Sequence, residues 1–438
     1  MKALVFERSI PRYAFASVTS RLIGSGRGTR YGPLRLCETK PPDLPGSGWR
    51  RLSPILAGIC GSDLATLDGR SSWYFENFVS LPFVPGHEIV GTLHDDRQGA
   101  GDRRVVVESV LGCATRNFEP QCPKCRRGLR ELCEHTAFGD LGPGLQTGYC
   151  ASTGGGWSTS LVVHESQCHD VPQYMSDEAA VMVEPAACAV HAALAGKLDG
   201  SELAIVSGAG TLGLCTLAAI KRLAPETRVL VGAKHKHQRE LASDLGADLV
   251  VSPEHLSGAA RRLSGSLSVG RHLTRGADIV FDCVGSATTL ESALETVCPR
   301  GRIVLVGMPG TVKVDLAPLW HREVKLLGTY AYGTESIARE HTSPGRATEK
   351  SSTFDLAFDL VTSASLERLV SATYPLERHE DAIAHAGSAG SRGAVKIAFD
   401  MRSGMRSRAK KQREASRDGA ASKAATNPQT KDEGDLHP

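Results

Sequence analysis

A doubly wound α/β unit behind a β-rich one is the fold class that the sequence predicts, on three observations. Short β-branched runs alternate with helix-like stretches from Ser201 onward, a glycine turn stands at the first strand-to-helix junction, and the first 180 or so residues are dense in Gly, Pro and turn signals.

The runs Leu203–Val206, Arg228–Val231, Asp248–Val251, Asp278–Phe281 and Arg302–Val306 read as strands, with Val324–Thr329 as a sixth. Leu212–Leu223, Gln238–Leu245 and Thr289–Val297 read as helices between them. Near-continuous apolar strands joined by helices imply a parallel sheet covered on both faces. The region before it reads as an all-β domain carrying loops. Thr353–Leu369 looks helical and Val395–Phe399 looks like a closing strand. If that segment rejoins the first domain, the middle unit is an insertion and a cleft lies between the two, where ligands commonly sit.

The boundaries expected are 1–190, 191–328, 329–400 for the returning segment, and 401–438 for a disordered tail. With 438 residues, 41% hydrophobic and 5% aromatic, the chain needs no metal or disulfide merely to fold. Its twelve cysteines follow an N-terminus without the apolar core of a signal peptide, so reduced thiols and a cytoplasmic location are expected. No uninterrupted apolar run approaches a membrane span, so no membrane partner is expected. The net charge of +3 is misleading, because residues 401–438 hold nine Lys/Arg and five Asp/Glu and the remaining body is close to neutral. Such a body has no electrostatic footprint for nucleic acid.

The turn Gly208-Ala-Gly210-Thr211-Leu212-Gly213 follows a strand and opens a helix, the context a dinucleotide-binding turn requires. Gly208 permits the tight turn, Gly210 lets the backbone approach a pyrophosphate, and Gly213 lets the helix pack closely, with its N-terminus facing the phosphates. An acidic residue at the end of the second strand would bind a ribose 2′-hydroxyl; here Ala233 is followed by Lys234 and Lys236. The pattern favours NADP and leaves NAD possible. The alternative is that these lysines form an exposed basic start to the next helix.

Two groups of metal-ligand types precede the turn. Cys122, Cys125 and Cys133 have the spacing C-x2-C-x7-C, and with Cys113 upstream they have the composition of a closed structural zinc site. Cys60, His87, Glu88 and Glu184 supply a thiolate, an imidazole and carboxylates, a set suited to an open catalytic zinc. Taken singly each has a plain structural role available: Cys60 in a core, His87 hydrogen-bonded internally, Glu184 capping a helix. Beside a hydride carrier they gain meaning, since zinc lowers the pKa of an alcohol and makes hydride loss to a nicotinamide feasible.

Cys-Gly-Ser-Asp at 60–63, Gly-His-Glu at 86–88, the cysteine lobe, Glu184-Pro185, Gly208–Gly213 and Tyr330–Gly333 together resemble the zinc-dependent medium-chain alcohol dehydrogenase family over most of residues 1–400. The resemblance implies a GroES-like β catalytic domain, a Rossmann nucleotide-binding domain, and a homodimer or homotetramer. It implies that Cys60 and His87 are zinc ligands, that Glu88 and Glu184 bind the metal directly or through its water, that Ser62 passes the substrate proton outward, and that Asp63 stands behind the ligands.

Three departures stand out. Ala65 occupies the place where family members often have the outer histidine of a proton relay. Six extra residues, 114–119, separate Cys113 from Cys122, and Cys113 is preferred over Glu119 as fourth ligand because a loop costs little while losing a thiolate changes the site. The stretch from Gly142 to Trp157 is rich in glycine, either shaping an entrance or forming a surface loop. Trp73-Tyr74-Phe75 either lines the pocket or packs into the β domain. The function expected is oxidoreduction of an alcohol or polyol with NAD(P). A glucose-dehydrogenase-like aldose oxidoreductase is the alternative among enzymes, and a catalytically silent NAD(P)H- or zinc-binding module the alternative outside them.

Overall fold

The computed structural model describes residues 1–94, 101–337 and 349–402. Residues 403–438, most of the expected tail, lie outside the described residues.

The metal-ligand side is built on a seven-stranded sheet. Trp49–Gly58 pairs antiparallel with Ile89–Leu93, which continues to Arg103–Val107 and Cys168–Asp170. On its other side the last strand of the described chain, Lys396–Asp400, pairs antiparallel with residues 56–58 and parallel with Val370–Tyr374. The chain therefore returns to its first sheet. Arg402, counted with the tail in the sequence reading, is tied to this body by ion pairs to Asp177 at 2.8 Å and Asp400 at 2.9 Å.

Three helices on this side matter for the site: α1 (Ile10–Ile23), α2 (Gly61–Leu67) and α3 (Val183–Gly196). α1 corrects the expectation of an all-β first region. Its Ile10, Phe15, Val18 and Leu22 are exposed, so the apolar period that flags a helix does not mark a core face. The stretch Asp177–Gly196 is long and apolar enough to cross a membrane, against the expectation that no such stretch exists; 78% of its apolar window is buried inside the protein, as in a core helix.

The nucleotide side is a six-stranded parallel sheet: β1 (Leu203–Ser207), β2 (Arg228–Gly232), β3 (Leu249–Val251), β4 (Ala277–Asp282), β5 (Val297–Leu305) and β6 (Lys325–Gly328). Their spatial order is 3-2-1-4-5-6, the doubly wound arrangement whose ligands sit where the order reverses. α4 (Thr211–Leu223) leaves the end of β1 and packs against α3. The main core runs through α3, α4, β1 and β4 and includes Val190, Leu214, Val206 and Phe281. One apolar core thus supports both halves of the site.

Candidate active site

Cys60 is the residue before α2, and its backbone N–H donates to the Asp63 carboxylate at 2.9 Å, which fixes the start of the helix and the direction of the thiol. His87 sits on a Pro-Gly-His turn just before Ile89–Leu93. Gly86 there has φ +97, and a Cβ on it would lie 2.4 Å from the Trp157 ring. Trp157 is fully buried and donates from Nε1 to the Gly58 carbonyl at 3.1 Å. The glycine-rich stretch is therefore no surface loop in its second half: residues 153–158 are buried behind His87, while Gln146 and Tyr149 face the cavity.

Donor atoms of Cys60, His87 and Glu88 lie within 4.8 Å of one another. His87 is buried, and its Nδ1 has no hydrogen-bond partner; Asp63 Oδ1 stands 3.6 Å away, beyond hydrogen-bond reach. A soft thiolate, an incompletely satisfied buried imidazole and a carboxylate form a donor set that fits zinc. Glu184, in the first turn of α3, is outside that group of three but faces the same cavity. Burial pushes its carboxyl up to about 7; His87 and Lys396 favour the ionised form, while Glu88 opposes it.

Glu88 has a partner that sequence reasoning missed. Lys396 Nζ, fully buried on the closing strand, donates to both Glu88 oxygens at 2.6 Å and to the Ile59 carbonyl at 3.3 Å. The pair needs Gly58, because a Cβ there would lie 1.8 Å from Glu88 Oε2. Lysine beside the apolar run Ile397-Ala398-Phe399 in the closing strand is the signal that could have found it.

Ser62, expected to carry the proton outward, has a buried Oγ with no partner. Tyr149 donates its hydroxyl to Asp63 at 3.2 Å.

At the nucleotide end, each glycine has a distinct spatial role. Gly208 has φ +94, a Cβ on Gly213 would lie 1.8 Å from the Gly208 carbonyl oxygen, and a Cβ on Gly210 would meet nothing within 4 Å. The last leaves open space in front of the N-terminus of α4, where an anion is favoured. Asp282, buried at the end of β4 and also missed in the sequence, accepts from the N–H groups of Val284 and Gly285 at 3.0 Å each and shapes the loop facing this space. Ala233 is buried, Lys234 is exposed, and Lys236 is exposed 3.7 Å from Glu240. The residues that follow β2, Ala233 to His237, include no carboxylate.

One cavity of about 830 Å³ joins the two ends; its lining includes Cys60, His87 and Glu184 on one side and Gly210, Thr211 and Leu212 on the other.

The second cluster lies apart. Cys113, Cys122, Cys125 and Cys133 are buried, unbridged, and within 4.8 Å of one another through their sulfurs. The extra loop after Cys113 leads its Arg116 inward. That guanidinium is fully buried and donates to the carbonyls of Leu111, Phe138, Leu141, Gly142 and Gly144 at 2.6–3.4 Å. The insertion thus ties the start of the glycine-rich stretch to the cysteine lobe.

With this geometry in place, similarity to known proteins is decisive. Residues 46–173 match the family of the alcohol dehydrogenase GroES-like domain, and residues 211–343 match the family of the zinc-binding dehydrogenase, together more than half of the chain. The chain belongs to the zinc-dependent medium-chain alcohol and polyol dehydrogenases. It is an NAD(P)-dependent oxidoreductase with a GroES-like domain and a Rossmann domain. The 2-dehydro-3-deoxy-L-galactonate 5-dehydrogenase of Pseudoalteromonas atlantica is 27% identical over 340 residues, 76% of this chain and 86% of that one. The sorbitol dehydrogenase of Arabidopsis thaliana is 26% identical over 379 residues, 84% and 91% of the two chains. In fold, this dehydrogenase resembles a zinc-binding dehydrogenase of Sinorhizobium meliloti bound to NADP, with TM-score 0.62 and 22% identity over 84% of this chain and 95% of that one.

Proposed function

We propose that this dehydrogenase oxidises an alcohol or polyol hydroxyl, or reduces the corresponding carbonyl, at Cys60 and His87, with NADP as the preferred partner. The observation that carries the reading is the single cavity reaching from these residues to the open turn at Gly210.

Cys60 and His87 are the proposed constant ligands of a catalytic zinc. Glu88 and Glu184 complete the donor set, Glu88 in competition with Lys396. Zinc held there would lower the pKa of a substrate hydroxyl, and the nicotinamide would accept the hydride from the adjacent carbon. Ser62 takes the hydroxyl proton and passes it to solvent, since Ala65 offers no outer base. Asp63 anchors the Cys60 end of α2 and, with Tyr149, holds the ground behind His87. Gly208, Gly210, Thr211, Leu212 and Gly213 receive the pyrophosphate on the N-terminus of α4, and Lys234 and Lys236 attract the 2′-phosphate. Cys113, Cys122, Cys125 and Cys133 hold a structural zinc. The proposed division of the chain is 1–190, 191–328 and 329–400, with a basic tail from 401, and the proposed state is a cytoplasmic homodimer or homotetramer.

The test is a panel of alcohols, polyols and aldoses offered to zinc-loaded protein with NAD and NADP in parallel, followed by nicotinamide absorbance. Turnover lost in His87→Ala with NADP binding retained supports the reading. Cofactor binding without turnover of any compound would leave a silent binding module, and aldoses turned over best would favour the aldose oxidoreductase.

A further inference from the structure

The cavity has a third wall that neither the metal ligands nor the glycine turn explains. It is made by the end of the N-terminal strand Lys2–Phe6, by α1, which precedes both matched family segments, and by residues 70–83. Aromatic rings line it in sequence. Trp73, 69% exposed at the mouth, meets Tyr13 of α1 edge-on with centroids 5.9 Å apart. Tyr13 meets Phe6 at 6.4 Å, Phe6 stacks on Phe83 at 5.0 Å, Phe83 meets Tyr149 at 5.2 Å, and Tyr149 lies tilted over His87 at 5.9 Å. An unbroken line of rings therefore runs from solvent to the imidazole at the reacting end.

Several polar groups beside this line are engaged within the protein. Thr66 Oγ1 meets Ser71 Oγ at 3.0 Å and donates to the Ser62 carbonyl at 3.0 Å. Ser72 Oγ accepts from the Tyr74 N–H at 3.2 Å, Arg70 pairs with Asp68 at 2.9 Å, and the Tyr149 hydroxyl is on Asp63. A molecule with a hydroxyl on every carbon would surrender hydrogen bonds to water and find these groups already taken. An alkyl or aryl body would instead remove apolar surface from water against ring faces and edges.

We propose that the preferred substrate is an alcohol, or its carbonyl product, carrying an extended alkyl or aryl body that lies along the Trp73–Tyr149 wall, and that polyols are selected against. This rests on the reading of Cys60 and His87 as the reacting end and adds what the substrate carries away from its hydroxyl. α1, outside the two matched family segments, is then a specificity element.

The experiment uses full-length, zinc-loaded protein with NADP. Calorimetric titration of the NADPH complex, which cannot oxidise an alcohol, with cinnamyl alcohol and with sorbitol reads binding independently of turnover; the aryl alcohol is expected to bind about tenfold tighter or more. Across straight-chain alcohols from ethanol to hexanol, kcat/KM is expected to rise roughly three- to fourfold per methylene. Trp73→Ala, at an exposed position that should not disturb folding, and Tyr13→Ala each flatten that series, reducing the hexanol-to-ethanol ratio by about tenfold, while Tyr13→Phe retains it. Sorbitol binding as tightly as cinnamyl alcohol, or a flat chain-length series, overturns the proposal. Aryl preference in binding without turnover of any alcohol upholds the wall and removes instead the catalytic reading of Cys60 and His87.

Discussion

Two clusters in this dehydrogenase, each with its donor atoms within 4.8 Å of one another, differ in what surrounds them. The four thiols at 113–133 are all buried in a lobe tied by Arg116, whereas Cys60 and His87 stand at the wall of an 830 Å³ cavity beside Ser62 and Glu184. Four soft donors leave a metal no free position; a thiolate, an imidazole and a contested carboxylate leave room for substrate. Environment as well as ligand type separates a structural site from a reactive one.

The comparison breaks most visibly in stability. Cys125→Ser is expected to remove the lobe's zinc and with it several kcal/mol of folding free energy, read as loss of soluble protein and a lower Tm, because structural zinc binding is folding free energy. Cys60→Ser should leave folding nearly intact and remove activity. Lys396→Met strands the buried Glu88 carboxylate and should cost about 3–5 kcal/mol in denaturant unfolding, with Lys396→Arg recovering most of it. If Lys396→Met with added zinc is as stable as the wild type, Glu88 has moved onto the metal and the lysine is its competitor. Arg116→Met removes one donor from each of five carbonyls and should cost about 2–4 kcal/mol, together with easier zinc loss from the lobe but not from Cys60.

How much of this was legible beforehand follows from the same physics. β1, β2 and β4 are covered on both faces, so they appear in the sequence as uninterrupted apolar runs with little to confuse them. The four cysteines declare themselves by spacing. α1 escapes, because Phe15, Val18 and Leu22 turn outward and no core-facing stripe marks it. Lys396 escapes because its partner is 308 residues away, and a lone lysine in a strand reads as solvated. Arg116 escapes for a related reason: within a loop of polar residues nothing announces that one guanidinium points inward to order backbone carbonyls.

Smaller effects sharpen the reactive side. Ser62→Ala should slow alcohol oxidation by on the order of 10²-fold, the scale of a lost proton-transfer group, and shift the pH profile of kcat; an unchanged profile would remove Ser62 from the path. Ala233→Asp should weaken NADP and improve NAD by about one to two decades in dissociation constant, since a carboxylate at the end of β2 repels the 2′-phosphate. Wild-type protein that binds NAD more tightly than NADP would mean that Lys234 and Lys236 point only into solvent.

Two zincs of unequal role in one chain are tested most directly by elemental analysis joined to turnover. Two zincs per chain are expected in active wild-type protein, one in folded and inactive Cys60→Ser, and protein that is poorly folded as well as zinc-depleted in Cys125→Ser. Fully folded, fully active wild-type protein containing one zinc or none would contradict it.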